Sequence, residues 1–453
     1  MSDEGTIASL LARARALAAG GEDDAAKAAY LEILKRDATH FDALNELGTL
    51  AYASGHRSAA HSAYEQAVTC HPGNPIGRVN LGNLLFEEER FAAARMHYEA
   101  ALAADPDCAP AHQGLARVLT ELGQSEAAAP HWEKGFAGHA LIEQRCRGAA
   151  PAVPVLLLVS AKGGNIPTRR FLDDQIFAVS ALYAEYWDRD APLPPHALLF
   201  NAIGDADLCG EALARAVEIA AHSKAQIINP PRQVRKTGRA ENAQGLAKLP
   251  GVIAPQIAAL ARDAIAAAPD LRFPLLLRAP GYHTGRHFIK VDRREDLAAA
   301  VAALPGEELL AIEHLDARGA DGLYRKYRVM IVDGALYPLH LAISRDWKVH
   351  YFTADMAANA AYRDEERRFL EAMPETLGPR ALGALAAIAK TLCLDYAGVD
   401  FALDQDGALL LFEANATMVI NPPEADPLWD YRRPAIARAL DAATHMLLAR
   451  AKL

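Results

Sequence analysis

The chain has 453 residues, too many for one hydrophobic core, so we expect two or three domains. It contains 51% hydrophobic and 23% charged residues, the composition of an ordinary globular protein. The formal net charge of −10 argues against nucleic acid as a partner. No apolar stretch approaches the roughly 18 residues that span a bilayer, so we expect no membrane partner.

The five cysteines lie far apart and form no C-x-x-C pair. An odd number of scattered cysteines is typical of reduced, buried thiols rather than of a disulfide framework. The first residues, MSDEGTIASLL, lack the basic region and the apolar run of a signal peptide. These features together predict a cytoplasmic location.

A period of 34 residues runs through the first third of the chain. Alanine recurs at this period, and an aromatic residue follows each alanine by four positions: Ala26, Ala60, Ala94 and Ala128, with Tyr30, Tyr64, Tyr98 and Trp132. Leucine-glycine pairs and prolines repeat with the same spacing, at Leu47-Gly48 and Leu81-Gly82 and at Pro72 and Pro106. Small residues let paired helices approach closely and the aromatic ring fills the space between them, a pattern typical of tetratricopeptide repeats.

The phase of the repeat predicts an all-α solenoid over residues 1–147. Its four units are expected at residues 7–40, 41–74, 75–108 and 109–142. The first and last units match the pattern least well, as expected for units that cap a solenoid. Such an array presents a concave groove, so we expect a peptide, protein or carrier as partner; a purely structural or dimerising arm is the alternative.

The pattern changes after the segment GAAPAVP, which we predict to be a linker at residues 148–154. Short apolar runs then alternate with helical stretches, which predicts a small parallel sheet in an α/β subdomain over residues 155–232. The expected strands are VPVLLLVSA, HALLFNAIGDAD and AQIINPP. The expected helices cover residues 172–186 and 211–222.

Strands are denser in the last part of the chain, residues 233–453, which predicts an α+β domain. The expected strands cover residues 273–279, 285–291, 309–315, 327–344 and 348–352, and the expected helices cover 364–372, 379–393 and 434–450. The Asp-Gly pair in VDGALYP predicts a hairpin turn within the longest strand segment.

The stretch GVDFALDQDGALLLFEANAT ends a buried strand with polar groups. With its Asp-Gly turn in a four-residue loop, Asp400 is expected opposite Leu411, and alternation places Asp400, Glu413 and Asn415 on one face. A register slip of one residue would break this grouping. Two carboxylates and an amide oxygen suit a hard cation such as Mg²⁺; a solvated hairpin end is the alternative.

This hairpin resembles the metal-binding hairpin of ATP-grasp ligases, with an acid, a glutamate thirteen residues later, and Glu-x-Asn. FPLLLRAPGYHTGRHFIKV resembles the strands and glycine-containing loop that cover the phosphates, and LLAIEHL resembles the hinge that holds adenine. INPPRQVRKTGRAENAQGLAKLPGVIAP resembles the segment before the ATP-binding subdomain. The resemblance covers residues 153–450. It implies a multidomain chain in which the solenoid precedes an α/β pre-ATP-grasp subdomain and an α+β ATP-grasp domain.

The resemblance also implies an ATP-dependent carboxylate–amine ligase that forms an acylphosphate and releases ADP and phosphate. ATP and two Mg²⁺ ions, with Mn²⁺ as a substitute, are the implied cofactors, and Asp400, Glu413 and Asn415 are the implied metal ligands. The implied ATP contacts are Arg239, Arg278, His283, Thr284, Gly285, Glu313 and Lys348. The implied catalytic residues are Arg278, Arg328 and Lys348, and the implied substrate contacts are Arg325, Arg328, His340 and Asn421.

The sequence departs from the family pattern at four positions. Arg239 and Arg278 align with two lysines that usually contact ATP; arginine keeps the charge and adds a fork suited to phosphate. Gly398 stands where the family often has an arginine, and Lys326 where it often has an acid. The loss of both lysines supports a second hypothesis, a repeat interaction protein that binds nucleotide without ligating. A phosphotransferase that stops at a phosphorylated product is a third hypothesis.

Overall fold

The computed structural model describes residues 3–144, 146–148, 151–265, 267–268, 271–280, 287–349, 354–423 and 426–451. The chain separates into two compact units, Met1–Pro151 and Ala152–Leu453. Among the described residues, no helix has both the length and the apolar character needed to cross a membrane.

The first unit consists mainly of four helix pairs. The helices are α1 (Asp3–Gly20), α2 (Asp23–Arg36), α3 (Phe41–Ala53), α4 (Arg57–Cys70), α5 (Pro75–Glu87), α6 (Phe91–Ala104), α7 (Ala109–Glu121) and α8 (Ser125–Phe136), and a short strand β1 (Leu141–Glu143) follows. The second, third and fourth pairs begin at residues 41, 75 and 109, where the 34-residue phase predicted the units to begin. The sequence period therefore predicted the architecture of this unit.

Close packing of aromatic rings against glycines explains the residue types of the repeat. Tyr98 is fully buried, and its hydroxyl donates a hydrogen bond to Asn83 Oδ1 at 2.8 Å. A Cβ added at Gly82 would lie 2.8 Å from the Tyr98 ring, and one added at Gly114 would overlap the ring. Since real Cβ atoms do not approach so closely, only glycine allows the flanking helices to reach this ring.

The second unit begins with a parallel sheet. Its strands are β2 (Val153–Val159), β3 (Phe177–Tyr183), β4 (Leu198–Asn201) and β5 (Gln226–Ile228), and helix α9 (Gly210–His222) lies between β4 and β5 in the sequence. The strands lie in the order β3-β2-β4-β5, and every neighbouring pair is parallel. The α/β character predicted for this region is confirmed.

The prediction of a helix over residues 172–186 is wrong. Residues 177–183 form β3, which pairs in parallel with the whole of β2, from Val153 opposite Phe177 to Val159 opposite Tyr183. Pairing with the buried strand β2 determines the conformation of this segment, and the local sequence does not reveal that partner.

An antiparallel sheet follows, with the order β7-β10-β8-β9. Its strands are β7 (Ile257–Ala261), β8 (Leu275–Arg278), β9 (Phe288–Val291) and β10 (Glu308–Glu313), with helices α12 (Arg262–Ile265) and α13 (Leu297–Ala303). Leu275, Leu277 and Leu309 lie in the buried core of this sheet. The sequence did not predict β7 or α13.

The third sheet is mixed and has the order β12-β11-β13-β14-β6. Its strands are β6 (Val252–Ile253), β11 (Tyr324–Val332), β12 (Ala335–Ser344), β13 (Tyr396–Leu403) and β14 (Leu409–Asn415). The accompanying helices are α10 (Pro231–Val234), α11 (Arg239–Leu246), α14 (Ala360–Glu371), α15 (Met373–Leu392) and α16 (Arg433–Ala451). Only β14 and β6 pair in parallel.

The predicted turn between β11 and β12 is confirmed. Asp333 and Gly334 both have positive φ angles, 49° and 79°, as a two-residue hairpin turn requires. The strand predicted over residues 348–352 is not found at Lys348 and Val349, which lie outside any strand, and residues 350–353 lie outside the described residues.

We predict that Gly114→Ala destabilises the first unit, because the new methyl group would overlap the buried Tyr98 ring. Overpacking costs about 1–3 kcal/mol, which exceeds the gain in helix propensity of up to about 1 kcal/mol. The expected net loss in the free energy of unfolding is about 1–2 kcal/mol, measured by urea denaturation.

The matched control is Gly73→Ala, in the turn before α5, where an added Cβ would meet no atom within 4 Å. Its effect should stay within about 0.5 kcal/mol. Equal stabilities for the two variants would contradict the packing argument.

Candidate functional site

A cavity of about 480 Å³ lies within the second unit. The antiparallel sheet contributes mainly apolar side chains to its lining: Ile257, Leu276, Phe288 and Ile312. The mixed sheet contributes charged and polar groups, chiefly Lys326, Arg328, His340, Asp400 and Glu413. The cavity therefore combines an apolar wall with a strongly polar one.

The hairpin of β13 and β14 differs from its predicted register. Leu403 pairs with Leu409, and Phe412 is the extra residue of a bulge, so that Asp400 pairs directly with Glu413. The predicted pairing of Asp400 with Leu411 is therefore wrong. The bulge nevertheless makes Asp400 and Glu413 a cross-strand pair, so that their carboxylates lie on one face.

Asp400 is buried and bound by two cationic side chains from the neighbouring strand β11. Arg328 Nε donates to Oδ1 at 2.6 Å and Arg328 Nη2 donates to Oδ2 at 2.8 Å. Lys326 Nζ lies 3.0 Å from Oδ2. Lys326 and Arg328 are two residues apart and so share a face of the strand. We refer to these three side chains as the Asp400 cluster.

The charge of the Asp400 cluster is fixed by its geometry. Burial raises the pKa of the Asp400 carboxyl group, but Arg328 and Lys326 outweigh burial and hold that pKa well below its usual range. Burial likewise lowers the pKa of Arg328, yet Asp400 outweighs it and the net shift is upward. Asp400 and Arg328 therefore both stay ionised at neutral pH, and both oxygens of the carboxylate bind cationic groups.

Glu413 and Asn415 are joined by hydrogen bonds next to this cluster. Glu413 Oε1 accepts from Arg239 Nη2 at 2.5 Å and from Asn415 Nδ2 at 2.7 Å. Asn415 Oδ1 in turn accepts from the backbone N and the hydroxyl of Thr417, at 3.0 Å and 2.9 Å. Asn415 lines a second, smaller cavity of about 40 Å³. Glu413 lines both this cavity and the larger one.

The three side chains predicted to hold Mg²⁺ do not fit a metal site in this arrangement. Both oxygens of Asp400 are bound by cations, and the amide oxygen of Asn415 already accepts two hydrogen bonds. A metal would have to displace these donors to gain its oxygen ligands. Within the described residues, no group of three or more His, Cys, Asp or Glu side chains is arranged to hold a metal ion.

Arg278 and Arg239 bring two further positive charges to the same end of the cavity. Burial, followed by the charge of Arg239, lowers the pKa of Arg278 to about 10, so that Arg278 stays charged at neutral pH. Its guanidinium carbon also lies 5.7 Å from the centre of the Phe288 ring. Clustered guanidinium groups of this kind are suited to an anion with several oxygens.

Glu313, predicted to hold adenine, ends β10 and faces the cavity. Its carboxylate accepts a hydrogen bond from the backbone N of Gln256 at 3.0 Å, and its own backbone N donates to Gln256 O at 2.8 Å. These contacts fix the place where β10 leaves the antiparallel sheet.

Three aromatic side chains line one part of the cavity. The Trp347 ring meets the edges of Phe288 and His314 at centroid distances of 5.6 Å and 6.4 Å. Lys348 Nζ lies 3.5 Å from Phe288 O and lines the cavity. Sequence reasoning missed Trp347, which carries no motif of its own. The predicted phosphate contacts His283, Thr284 and Gly285 lie outside the described residues.

The four residues predicted to contact the substrate all line the cavity: Arg325, Arg328, His340 and Asn421. Arg325, however, is bound to Asp321 and Glu365 at 2.7 Å and 2.5 Å, so its charge is balanced there. His340 is buried; burial, followed by Arg328, lowers its pKa well below its usual value, so it is neutral at pH 7. Lys326, at the position where the ATP-grasp pattern often has an acid, also lines the cavity.

Gly398 has no room for the arginine that ATP-grasp ligases often carry at its position. A Cβ built there would lie 2.5 Å from Met418 Cβ. Arg328, which pairs with Asp400 across the sheet, instead supplies the guanidinium group beside the carboxylate.

Comparison with known proteins identifies the repeats of the first unit. A family model described as tetratricopeptide repeat matches residues 85–130, wholly within that unit. The N-terminal region therefore contains tetratricopeptide repeats. Repeats of this kind stack into scaffolds with an extended binding surface, so the first unit is a scaffold for protein interaction.

Partial matches to solved structures accompany the family match. A crystal structure of MamA is 24% identical to this chain. The alignment covers 27% of this chain and 72% of the MamA chain, with a TM-score of 0.26. MamA 41-end from Desulfovibrio magneticus RS-1 is 23% identical and covers 28% of this chain and 72% of its own, also with a TM-score of 0.26. No curated protein matches the sequence.

We predict that Asp400→Asn lowers the free energy of unfolding by about 3–5 kcal/mol at pH 7, because Lys326 and Arg328 lose a buried counter-charge. The folded-state pKa of Asp400 is depressed, so its contribution is present above the usual value of 3.8 and is lost as the pH falls. The difference from the parent protein should narrow by about 1 kcal/mol between pH 4 and pH 3, measured by urea denaturation.

The matched control is Asp364→Asn, since Asp364 forms an exposed ion pair with Arg367 on helix α14. Its effect should not exceed about 0.5 kcal/mol at any pH. If Asp400→Asn were no more harmful than this control, the Asp400 cluster would not stabilise the fold.

Proposed function

We propose that the second unit is an ATP-dependent ligase that joins a carboxylate to an amine, and that the repeats of the first unit recruit one of the substrates. The observation that carries this proposal is a single cavity with an apolar wall and four cationic side chains at its polar end, Arg239, Arg278, Lys326 and Arg328. Its volume of about 480 Å³ is within the range of small-molecule and cofactor sites.

The arrangement supports a nucleotide in one orientation. The base would lie against the apolar wall near Ile257, Leu276 and Ile312, with Glu313 beside it where β10 ends. The phosphates would then reach Arg239 and Arg278. A planar guanidinium group can contact two phosphate oxygens at once, which suits a polyphosphate better than a point charge does.

The proposed reaction has two steps. A carboxylate oxygen of the substrate attacks the γ-phosphorus of ATP, the bond from that phosphorus to the β–γ bridging oxygen breaks, and ADP leaves. The amine then attacks the carbonyl carbon of the acylphosphate, phosphate leaves with the carbon–oxygen electron pair, and the nitrogen gives up one proton to the leaving phosphate. Catalysis of this kind depends on positioning and on fixed positive charge, which Arg278 and Arg328 would supply.

A second candidate is a repeat scaffold whose second unit binds nucleotide without ligating. The commitment of Asp400 to Lys326 and Arg328 favours it, because this carboxylate is not available to organise a reacting phosphate through a metal. ADP and phosphate release, measured with the full-length protein and with pools of carboxylates and amines, separates the candidates. A ligase releases both in equal amounts and only with acceptors, a phosphotransferase releases ADP alone, and the scaffold releases neither.

The repeat unit supports recruitment of a peptide, protein or carrier. A partner held by the repeats would raise the concentration of its reactive group near the cavity without changing the chemistry. Removal of residues 1–150 should therefore lower ligation at low acceptor concentration and leave ATP affinity unchanged. Undiminished ligation by the shortened protein would contradict recruitment.

We predict that Arg278→Ala weakens ATP binding by about 10- to 100-fold, since one charge-assisted contact contributes about 1.5–3 kcal/mol. Arg278→Lys should lose less, because the positive charge remains. Isothermal titration calorimetry with the full-length protein measures both changes.

The matched control is Arg189→Ala, which removes an arginine from an exposed ion pair with Glu218. It should leave ATP affinity unchanged. An Arg278→Ala variant that binds ATP as tightly as this control would place the nucleotide elsewhere.

A further inference from the structure

We propose that the cavity binds the phosphates of its nucleotide without a metal ion at Asp400, because the Lys326 ammonium group occupies the position that a cation would take on this carboxylate. This inference rests on the proposed function, since it concerns how the same cavity neutralises a polyphosphate. It departs from the Mg²⁺ dependence that the ATP-grasp resemblance implies.

Asp400 leaves no room for a metal ion, because cationic side chains bind both of its carboxylate oxygens. Arg328 binds both carboxylate oxygens at 2.6 Å and 2.8 Å, and Lys326 Nζ lies 3.0 Å from Oδ2. The carboxylate side chain is 5% exposed and that of Lys326 16% exposed, so water can do little to replace these partners. A divalent ion coordinated at about 2.1 Å from Oδ2 would lie almost against the ammonium group. The ion would have to expel this partly buried ammonium group first.

Positively charged side chains outnumber negatively charged ones along the described lining of the cavity. Among the described residues that line the cavity, cationic side chains outnumber carboxylates by six to three: Arg239, Arg278, Arg325, Lys326, Arg328 and Lys348 against Glu313, Asp400 and Glu413. The surplus of positive charge favours a polyanion and disfavours a further divalent cation. Fixed side-chain cations can therefore perform the neutralisation for which other phosphate sites use a metal.

The strand geometry explains why the ammonium group reaches this position. Arg328 is the register partner of Asp400 between β11 and β13, so its guanidinium lies directly beside the carboxylate. Lys326 lies two residues earlier on β11 and therefore projects from the same face. This is the position at which the sequence departs from the ATP-grasp pattern by carrying lysine in place of an acid.

The test is the Kd of ATP for the full-length protein, measured by calorimetry once with excess Mg²⁺ and once with excess EDTA. The two values should agree within about threefold. Lys326→Gln should weaken binding in EDTA by about tenfold or more, because a fixed charge is lost, and Lys326→Arg should retain metal-free binding. Lys390→Gln, on an exposed position of helix α15, is the matched control and should change neither value.

Three outcomes would count against the account, and they differ. Binding by the parent protein only when Mg²⁺ is present would overturn metal-free binding and leave the proposed function intact. Binding in neither buffer would overturn the proposed function itself. If the Lys326→Gln and Lys390→Gln variants bound ATP equally tightly in EDTA, Lys326 would not be the cation that replaces the metal ion. If Lys326→Gln does not fold, the comparison of the parent protein in the two buffers still decides the main point.

Discussion

The ion cluster that the buried Asp400 forms with the partly buried Lys326 and Arg328 is the constraint on which the site depends. Removing three charges from water is costly, and the cluster is tolerated only because each oxygen of Asp400 has a cationic partner. The same contacts join β11 to β13 and set the sign of the charge at the end of the cavity. Stability and ligand preference therefore rest on one set of distances.

The bulge at Phe412 adds a charged residue of β14, the second strand of the hairpin, to this group of charges. It brings Glu413 opposite Asp400, where Glu413 accepts hydrogen bonds from Arg239 and Asn415. Arginine from α11 is thereby tied to the mixed sheet, and Arg278 from the antiparallel sheet interacts with the same group of charges. Elements distant in sequence thus supply one cationic surface, while the apolar wall of the cavity comes mostly from the antiparallel sheet.

Local patterns could be predicted from the sequence, and long-range pairing could not. The 34-residue period located the helix pairs because each pair packs mainly on its neighbours. The Asp333-Gly334 turn was predictable because two residues determine it. The strand at 177–183 and the bulge at Phe412 were missed, because both depend on partners that local composition does not reveal. Most predicted site residues do line one cavity, but the pairing of Lys326 with Asp400 joins two residues that lie more than seventy positions apart in the sequence.

The most direct test of metal-free phosphate binding is a crystal structure of the protein grown with ADP and Mn²⁺, with anomalous diffraction measured for manganese. The account predicts that Lys326 Nζ stays about 3 Å from Asp400 Oδ2, within hydrogen-bonding distance, and that no anomalous peak lies within coordination distance of that carboxylate. A manganese peak bonded to Asp400, with the lysine displaced, would contradict it.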